Sequence, residues 1–378
     1  MSARTLLGLW LMALSPTPAL ADDFVPDDVI VSDPARDLPP PEFDQRTHRV
    51  IWQDRVNKLW VADVDVVTGD IEPFNGKGTL VDSGLTPGYE IKNTPRYAWG
   101  AGEGAIVYNK TINGIRTLAK AVEVAPNIWE TSLLENGEDR WKANGSPEET
   151  TDAARIVYSY KRPAGDTVVG WRDLDDPASE QIANVISHGG RFFGAEPAVI
   201  VTDKDQYHVT QIYHVPFATG IPEQVSFGPY NKANAFVWFA PEYEQYLIVA
   251  MVRFTELAIY GRVGGAWRRI TQFAIPSAKP LLSSPEAFVA NGKSYIAVVT
   301  CDELGAGGFA GQPVGPSEIW LAGIDPDAPF FRRIDDPSYE AQRSEPEPFL
   351  LDSGPVVYYT ELSSFIRLLK RAATGLAM

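Results

Sequence analysis

The chain has 378 residues, a formal net charge of −16 and a single cysteine, Cys301. A protein this acidic repels nucleic acid and anionic membrane surfaces, which argues against either as a partner. One cysteine excludes an intramolecular disulfide, so stability must come from a large core, for which 44% hydrophobic and 11% aromatic residues are sufficient.

Residues 1–21 have the layout of a secretory signal peptide. A positive charge at Arg4 precedes an apolar run from Leu6 to Leu14, and small residues end the segment at Ala19–Leu20–Ala21. The apolar run is too short to span a membrane, and no later stretch reaches the roughly 18 apolar residues that a transmembrane helix needs. We therefore predict cleavage before Asp22, a periplasmic or secreted bacterial protein, and no transmembrane segment.

The remaining chain is predicted to contain a strap followed by one all-β domain. Residues 22–47 include the proline-rich stretch SDPARDLPPPEF and are predicted to be extended. Residues 48–378 consist of short runs rich in Val, Ile, Tyr, Phe and Trp, separated by Gly, Pro, Asp and Asn, as is typical of strands. Examples in chain order are RVIWQ, GAIVYNK, RIVYSYK, AVIVT, YLIVAMVRF, SYIAVVT and PVVYYTE.

These strands recur as a group with a period of about 50 residues. The repeating units start at Pro41, Pro95, Pro147, Pro197, Asn234, Pro285 and Pro346. Such a period in a chain of strands predicts a β-propeller of four-stranded blades. Seven blades are favoured, six is the alternative if the two chain ends share a blade, and five is the least favoured number. A proline-rich β-sandwich is the competing fold.

The unit starts carry a recurrent charged residue, most often glutamate. In a propeller the first strand of each blade lines the central channel, so the residue that opens this strand lies at the channel mouth. The residues predicted there are Glu42, Arg96, Glu148, Glu196, Glu286 and Glu347. Carboxylates gathered around one opening raise one another's pKa, pair with an arginine, or bind a cation such as Ca²⁺. The alternative is that these glutamates only solvate strand ends.

Two of these carboxylates suit acid–base chemistry at a glycosidic bond, which needs one protonated and one ionised carboxyl about 5–10 Å apart. We predict Glu286 and Glu347 as the catalytic pair, with Glu196 tuning their pKa values. Glu148 and Arg96 are predicted to bind substrate, Arg96 by holding an anionic or hydroxyl group. A long glycine-rich loop, residues 301–318, is predicted over the same face as a lid or as a tolerated insertion.

Histidine and tryptophan residues supply further candidates for substrate binding. His188 and His208 are the histidines favoured for the site. His208 and His214 are excluded as ligands of one metal if a single strand holds both, because six residues of strand span about 20 Å. Trp99 and Trp238 lie near strand ends and are candidates for stacking on a sugar ring, with core packing as the alternative. No protein metal centre is predicted beyond the Ca²⁺ option.

The phrases PEPFLLDSGPVVYYTE and PEAFVANGKSYIAVVT resemble blade openings of propeller glycosidases of the arabinanase and xylosidase type. That resemblance implies a carbohydrate-active enzyme, although those enzymes have five blades and an aspartate base in the first blade that has no counterpart here. The repeat also resembles TolB-like periplasmic propellers, which only bind. Two functions are thus predicted. One is an exported glycoside hydrolase or lyase acting at the channel mouth, and the other is a non-catalytic scaffold that binds a glycan, another small polar ligand or a partner protein there.

Overall fold

The computed structural model describes residues 26–32, 40–72, 78–88, 93–102, 104–134, 139–187, 189–305, 311–363 and 366–377. The predicted signal peptide, residues 1–21, lies outside these ranges, and so does His188. Among the residues described, no helix is long and apolar enough to cross a membrane.

In this described part of the chain, twenty-nine strands form seven antiparallel sheets, which confirms the seven-bladed propeller. Blade 1 contains β2 (Glu42–Asp44), β3 (Arg49–Gln53), β4 (Lys58–Val64), β5 (Ile71–Glu72) and β6 (Thr79–Ser83). Blade 2 contains β7 (Arg96–Ala98), β8 (Ala105–Ile112), β9 (Ile115–Ala125) and β10 (Ile128–Leu133). Blade 3 contains β11 (Arg140–Gly145), β12 (Arg155–Lys161), β13 (Thr167–Asp173) and β14 (Gln181–Ile186), and blade 4 contains β15 (Gly190–Phe192), β16 (Ala198–Lys204), β17 (Thr210–Pro216) and β18 (Glu223–Gln224). Blade 5 contains β19 (Lys232–Ala240), β20 (Gln245–Val252), β21 (Glu256–Val263) and β22 (Ala266–Phe273). Blade 6 contains β23 (Leu281–Ala290), β24 (Lys293–Cys301), β25 (Ser317–Gly323) and β26 (Phe331–Arg333). Blade 7 contains β27 (Gln342–Leu351), β28 (Gly354–Ser363), β29 (Ile366–Ala373) and β1 (Asp28–Ile30). Short 3₁₀ turns lie at Pro177–Ser179 and Pro241–Tyr243.

The core consists of apolar clusters between neighbouring blades. In β24, Ile296 and Val298 pack against blade 5, whereas Ala297 and Val299 pack against blade 7. Side chains alternate between the two faces of a strand, and both faces of each blade are covered here, so the second strands are continuous apolar runs with no polar alternation. The continuous runs in the sequence therefore mark the middle of each blade.

The two ends of the chain meet in blade 7. Strand β1 pairs antiparallel with β29, with Asp28 opposite Ala372 and Ile30 opposite Lys370. The Asp28 carboxylate accepts a hydrogen bond from Lys370 Nζ at 3.2 Å. The propeller thus has seven blades, and the two ends of the chain both contribute strands to the last one. Strands β1 and β2 both lie within the predicted strap of residues 22–47, so the propeller includes part of that segment.

We expect Val31→Ala to lower the free energy of unfolding by roughly 2 kcal/mol, because it removes two buried methyl groups and leaves a cavity at the closure. Val31 is fully buried in the cluster between blades 7 and 1. Val67→Ala is the matched control, since Val67 is 66% exposed. Urea denaturation of both variants measures the difference, and equal midpoints would contradict a stabilising role for the closing segment.

Candidate functional site

The first strand of each blade places one side chain at the same level of the central channel. Each of these residues pairs with a residue near the middle of the second strand, for example Glu286 with Ala297 and Glu347 with Tyr358. In blade order the seven residues are Glu42, Arg96, Asn144, Arg191, Phe236, Glu286 and Glu347. We call them the channel ring. All seven line cavities along the propeller axis, of about 480 Å³ towards one face and about 720 Å³ towards the other.

A β-bulge precedes the ring residue in blades 3, 5, 6 and 7. The first bulged residue has a positive φ of 56° at Lys142, 49° at Asn234, 45° at Ser284 and 52° at Glu345. In blades 6 and 7 a proline follows, and it fits because a bulged residue is not required to donate a hydrogen bond to the partner strand. The repeated Pro-Glu phrase of blades 6 and 7 is therefore a bulge that positions a glutamate in the channel.

The residues two positions before the channel ring form a second layer. They line the cavity of about 480 Å³ and are, in blade order, Pro40, Thr94, Lys142, Gly189, Asn234, Ser284 and Glu345. Gln312, from the loop between β24 and β25, lines the same cavity and donates a hydrogen bond to the Glu345 carboxylate. The described part of the predicted glycine-rich loop thus reaches this face of the channel.

Burial and mutual repulsion raise the pKa of the channel carboxyls. Burial raises the pKa of Glu286 to about 7, although Arg191 and Arg96 favour its ionised form. Burial, reinforced by the charge of Glu286, raises the pKa of Glu347 well above its ordinary value. The pKa of Glu345 is raised by burial as well. The channel therefore holds one carboxyl, Glu286, that titrates near neutral pH, beside another, Glu347, whose pKa is raised well above its ordinary value.

The two ring arginines differ in their partners. Arg96 pairs with the Glu42 carboxylate, but its Nε is buried without a hydrogen-bond partner among the described residues. The Arg191 guanidinium lies over the Phe236 ring, with its Cζ 5.1 Å from the ring centroid. Within the described chain, the Arg191 guanidinium makes no hydrogen bond or ion pair. Burial and the charge of Arg191 lower the pKa of Arg96.

Glu148 and Glu196 do not open first strands, contrary to the sequence prediction. Glu148 follows β11 in the hairpin to β12, where it accepts a hydrogen bond from Gln45 N at 2.9 Å. Burial and the nearby Asp44 raise the pKa of Glu148 to about 7, and Glu148 lines the cavities on the far side of the channel ring. Glu196 is exposed in the hairpin between β15 and β16, away from the ring.

The sequence prediction missed three ring residues, Asn144, Arg191 and Phe236, and Glu345 of the second layer. Arg191 occupies the blade 4 position because AVIVT, after Pro197, is the second strand of that blade rather than the first. Glu345 lies two residues before Glu347, at the bulge of β27, and lines the same cavity as Glu347. The alternation in SEPEPF was the available signal for Glu345, whereas the short strand containing Arg191 gave no comparable signal.

The aromatic and histidine candidates are placed differently from the channel carboxyls. Trp99 and Trp238 are 5% and 6% exposed, and their indole N–H groups donate to Asp44 and Ser294, both at 2.9 Å. Core packing therefore accounts for both rings, although both border the far cavity. His208 lies in an exposed turn before β17 with a φ of 62°, so it does not share a strand with His214 and does not line the channel.

A metal centre finds no support in the geometry. No group of three or more His, Cys, Asp or Glu side chains within the described ranges is arranged to hold a metal ion. The channel carboxyls are instead set against two guanidinium groups, so their charge is balanced by arginine and by protonation.

The raised pKa of Glu286 makes folding stability depend on pH. Its folded-state value of about 7 exceeds the ordinary 4.5, so the folded protein binds the proton more tightly than the unfolded chain. This contribution is full below about pH 4.5 and is lost as the pH rises through 7. We expect Glu286→Gln to gain stability relative to the wild type, on the order of 2 kcal/mol, between pH 5 and pH 8. Urea denaturation midpoints of the variant and the wild type across this pH range measure the gain in stability. Glu130→Gln, at an exposed position of β10, is the control, and its stability relative to the wild type should not change with pH in this way.

Comparison with known proteins supports the fold. Neither a protein-family model nor a curated protein matches the sequence. Among solved structures, the chain is similar to Trypanosoma rangeli sialidase in complex with sialic acid, at 9% identity over 92% of this chain and 60% of the sialidase, with a TM-score of 0.44. It is similar to a putative TolB from Agrobacterium tumefaciens, at 14% identity over 71% of this chain and 90% of that one, with a TM-score of 0.43. The β-propeller domain of Myceliophteria thermophila Cps50 (Swd1) reaches a TM-score of 0.56 at 8% identity, covering 92% of this chain and all of that domain. At these identities the likeness concerns the fold alone.

Proposed function

We propose that this protein is an exported propeller that binds a carbohydrate in its central channel and cleaves a glycosidic bond there. The observation that carries the proposal is the pairing of Glu286 and Glu347 at one level of adjacent blades, with raised pKa values and with Arg96 and Arg191 in the same ring. Two carboxyls whose pKa values are driven apart are what acid–base catalysis at a glycosidic bond requires.

Each ring residue has a role in this scheme. Glu347, whose pKa is raised well above its ordinary value, acts as the general acid and donates its proton to the leaving oxygen. Glu286, which titrates near neutral pH, acts as the base that activates water. Arg96 and Arg191 bind hydroxyl or carboxylate groups of the sugar. Glu196 is too far out in its hairpin for the tuning role predicted from sequence, and Glu345 takes that role because its charge acts on both carboxyls.

A non-catalytic binding propeller is the second candidate. Two channel carboxylates already have protein partners, Glu42 with Arg96 and Glu345 with Gln312. Such internal pairing favours a preorganised binding surface for a glycan or a partner protein, because it fixes side chains without leaving them free to react.

Incubation with a panel of polysaccharides tests the two candidates together. The release of reducing ends, measured beside binding to the same polymers, distinguishes them. Cleavage of any glycan at a rate above that of Glu347→Gln supports catalysis. Binding without cleavage assigns the second function, and neither binding nor cleavage across neutral and acidic glycans rejects a carbohydrate role.

Export is part of the proposal and has its own test. The charged start, apolar run and Ala-Leu-Ala ending of residues 1–21 support it. Mass spectrometry of the protein from its native host should find a mature N-terminus at or near Asp22. Recovery of a form that retains Met1 from the cytoplasm would contradict export.

A further inference from the structure

Among the described residues, Arg191 acts on Glu286, Glu345 and Glu347 only through space, without direct contact. Its guanidinium makes no hydrogen bond or ion pair with any residue that the structure describes, whereas Arg96, at the same level of the channel, pairs with Glu42. A half-buried charge without a counter-ion is costly, and folded proteins normally supply one. The donors of the Arg191 guanidinium are therefore available to a ligand from solution.

The position of the Arg191 side chain suits ligand binding. Stacking on Phe236 occupies one face of the planar guanidinium and holds it in the channel. Its N–H donors point outward in the plane, where they match the two oxygens of a carboxylate. Arg96 Nε, buried and also unpartnered among the described residues, adds a donor from the same ring.

The side chains around Arg191 indicate which kind of anionic ligand the cavity would bind. Besides its charged residues, the cavity of about 480 Å³ beside Arg191 is lined by neutral hydrogen-bonding side chains, among them Thr94, Asn144, Asn234 and Ser284. Such groups bind hydroxyls, and a cavity of this size is in the range of small-molecule sites. Burial raises the pKa values of Glu286, Glu345 and Glu347, which line this cavity, and so weakens their repulsion of an anion.

We propose that the channel binds a sugar acid, with its carboxylate on Arg191 and Arg96 and its hydroxyls on the neutral side chains of the cavity. The proposal rests on the proposed carbohydrate function and names its substrate class. An acidic protein would otherwise repel such a ligand, so the site has to be a local positive region inside a negative molecule.

Titration calorimetry of the full-length protein with glucuronate, galacturonate and N-acetylneuraminate, each beside its methyl ester, tests the proposal. At least one acid should bind, and its ester should bind more weakly by about 10- to 100-fold, since esterification removes a charge-assisted pair of hydrogen bonds. Arg191→Met should weaken binding of the acid by a similar factor and should leave the ester unaffected. Arg191→Lys should retain part of the affinity, because it keeps the charge but loses the planar fork.

The controls separate this proposal from folding defects and from catalysis. Arg268→Met removes the same charge from an exposed position on β22, so it should leave binding unchanged. Circular dichroism of each variant checks the fold. Glu347→Gln should abolish turnover yet still bind the acid, because the amide can donate a hydrogen bond. The free acids have no glycosidic bond to cleave, so their binding tests this site apart from catalysis. An acid that binds, with no cleavage of any polysaccharide in the panel, would remove catalysis and keep this site. Equal affinity for acid and ester, an unaffected Arg191→Met, or no binding by any of the acids would overturn it.

Discussion

Replacing Glu347 by glutamine is expected to lower the turnover of a glycan substrate by about 10²- to 10⁴-fold. The substitution keeps the shape of the side chain but removes the proton that the leaving oxygen needs. Glu286→Gln should have a similar effect, because it removes the base that activates water. Neither change should unfold the protein, since burial disfavours the ionised form of both carboxyls.

Turnover from released reducing ends and the urea midpoint measure the two effects separately. Glu196→Gln is the matched control, because Glu196 is an exposed glutamate in a hairpin outside the channel ring. Its turnover should equal that of the wild type. Unchanged turnover in Glu347→Gln and Glu286→Gln would contradict the catalytic roles. A change in ligand affinity alone would favour the binding propeller.

Arg343→Met is expected to lower the free energy of unfolding by about 3–5 kcal/mol. Arg343 is buried on β27, where its Nη1 lies 2.9 Å from Asp335 Oδ2 and its Nε lies 3.3 Å from Glu361 Oε2. It also donates to the carbonyl of Ser317 at 3.0 Å. The Asp335 side chain is fully buried, so methionine would leave two buried carboxylates with one cation fewer, although Arg333 still pairs with Asp335 and Lys370 with Glu361.

A surface pair gives the comparison for this buried network. Lys279 Nζ lies 3.1 Å from Asp302, whose side chain is 67% exposed. Lys279→Met should cost at most about 1 kcal/mol, because water screens and solvates an exposed ion pair. Urea denaturation of both variants at neutral pH provides the measurement. Equal midpoints would show that Arg343 is replaceable by an apolar side chain at no cost.

The blade architecture was predictable because its signal is local. The second strands, such as RIVYSYK and SYIAVVT, are largely apolar segments whose two faces are both buried. Their burial therefore agrees with their preference for β-structure, so the strands can be recognised from the sequence. The period of these runs predicts seven blades. The closure by β1 was not predictable in the same way, because its partner β29 is remote in sequence and the strand has only three residues.

The channel residues were only partly predictable, for a physical reason. In blades 6 and 7 the first strand is long and its bulge contains a proline, so Glu286 and Glu347 could be located from the phrase itself. In blades 3 and 4 the first strands are RWKANG and GRF, which have little intrinsic β-propensity and are held by pairing with the second strand. Alignment of the Pro-Glu letters there led to Glu148 and Glu196, which belong to the following hairpins. Counting back from the apolar second strand leads instead to Asn144 and Arg191.

The pairing of β1 with β29 also sets the order in which the molecule can be completed during synthesis. Asp28 and Lys370, which the closure joins, are 342 residues apart in the chain. At about 5–20 residues per second, roughly 20–70 s separate the synthesis of these two strands. Six blades can fold in that time while β1, made first, waits without its partner. Once β29 is synthesised, its outer edge stays open until a β1 strand pairs with it. An open edge accepts any strand of matching pattern. Exchange of β1 between two molecules is therefore the characteristic route by which this propeller would misassemble into dimers.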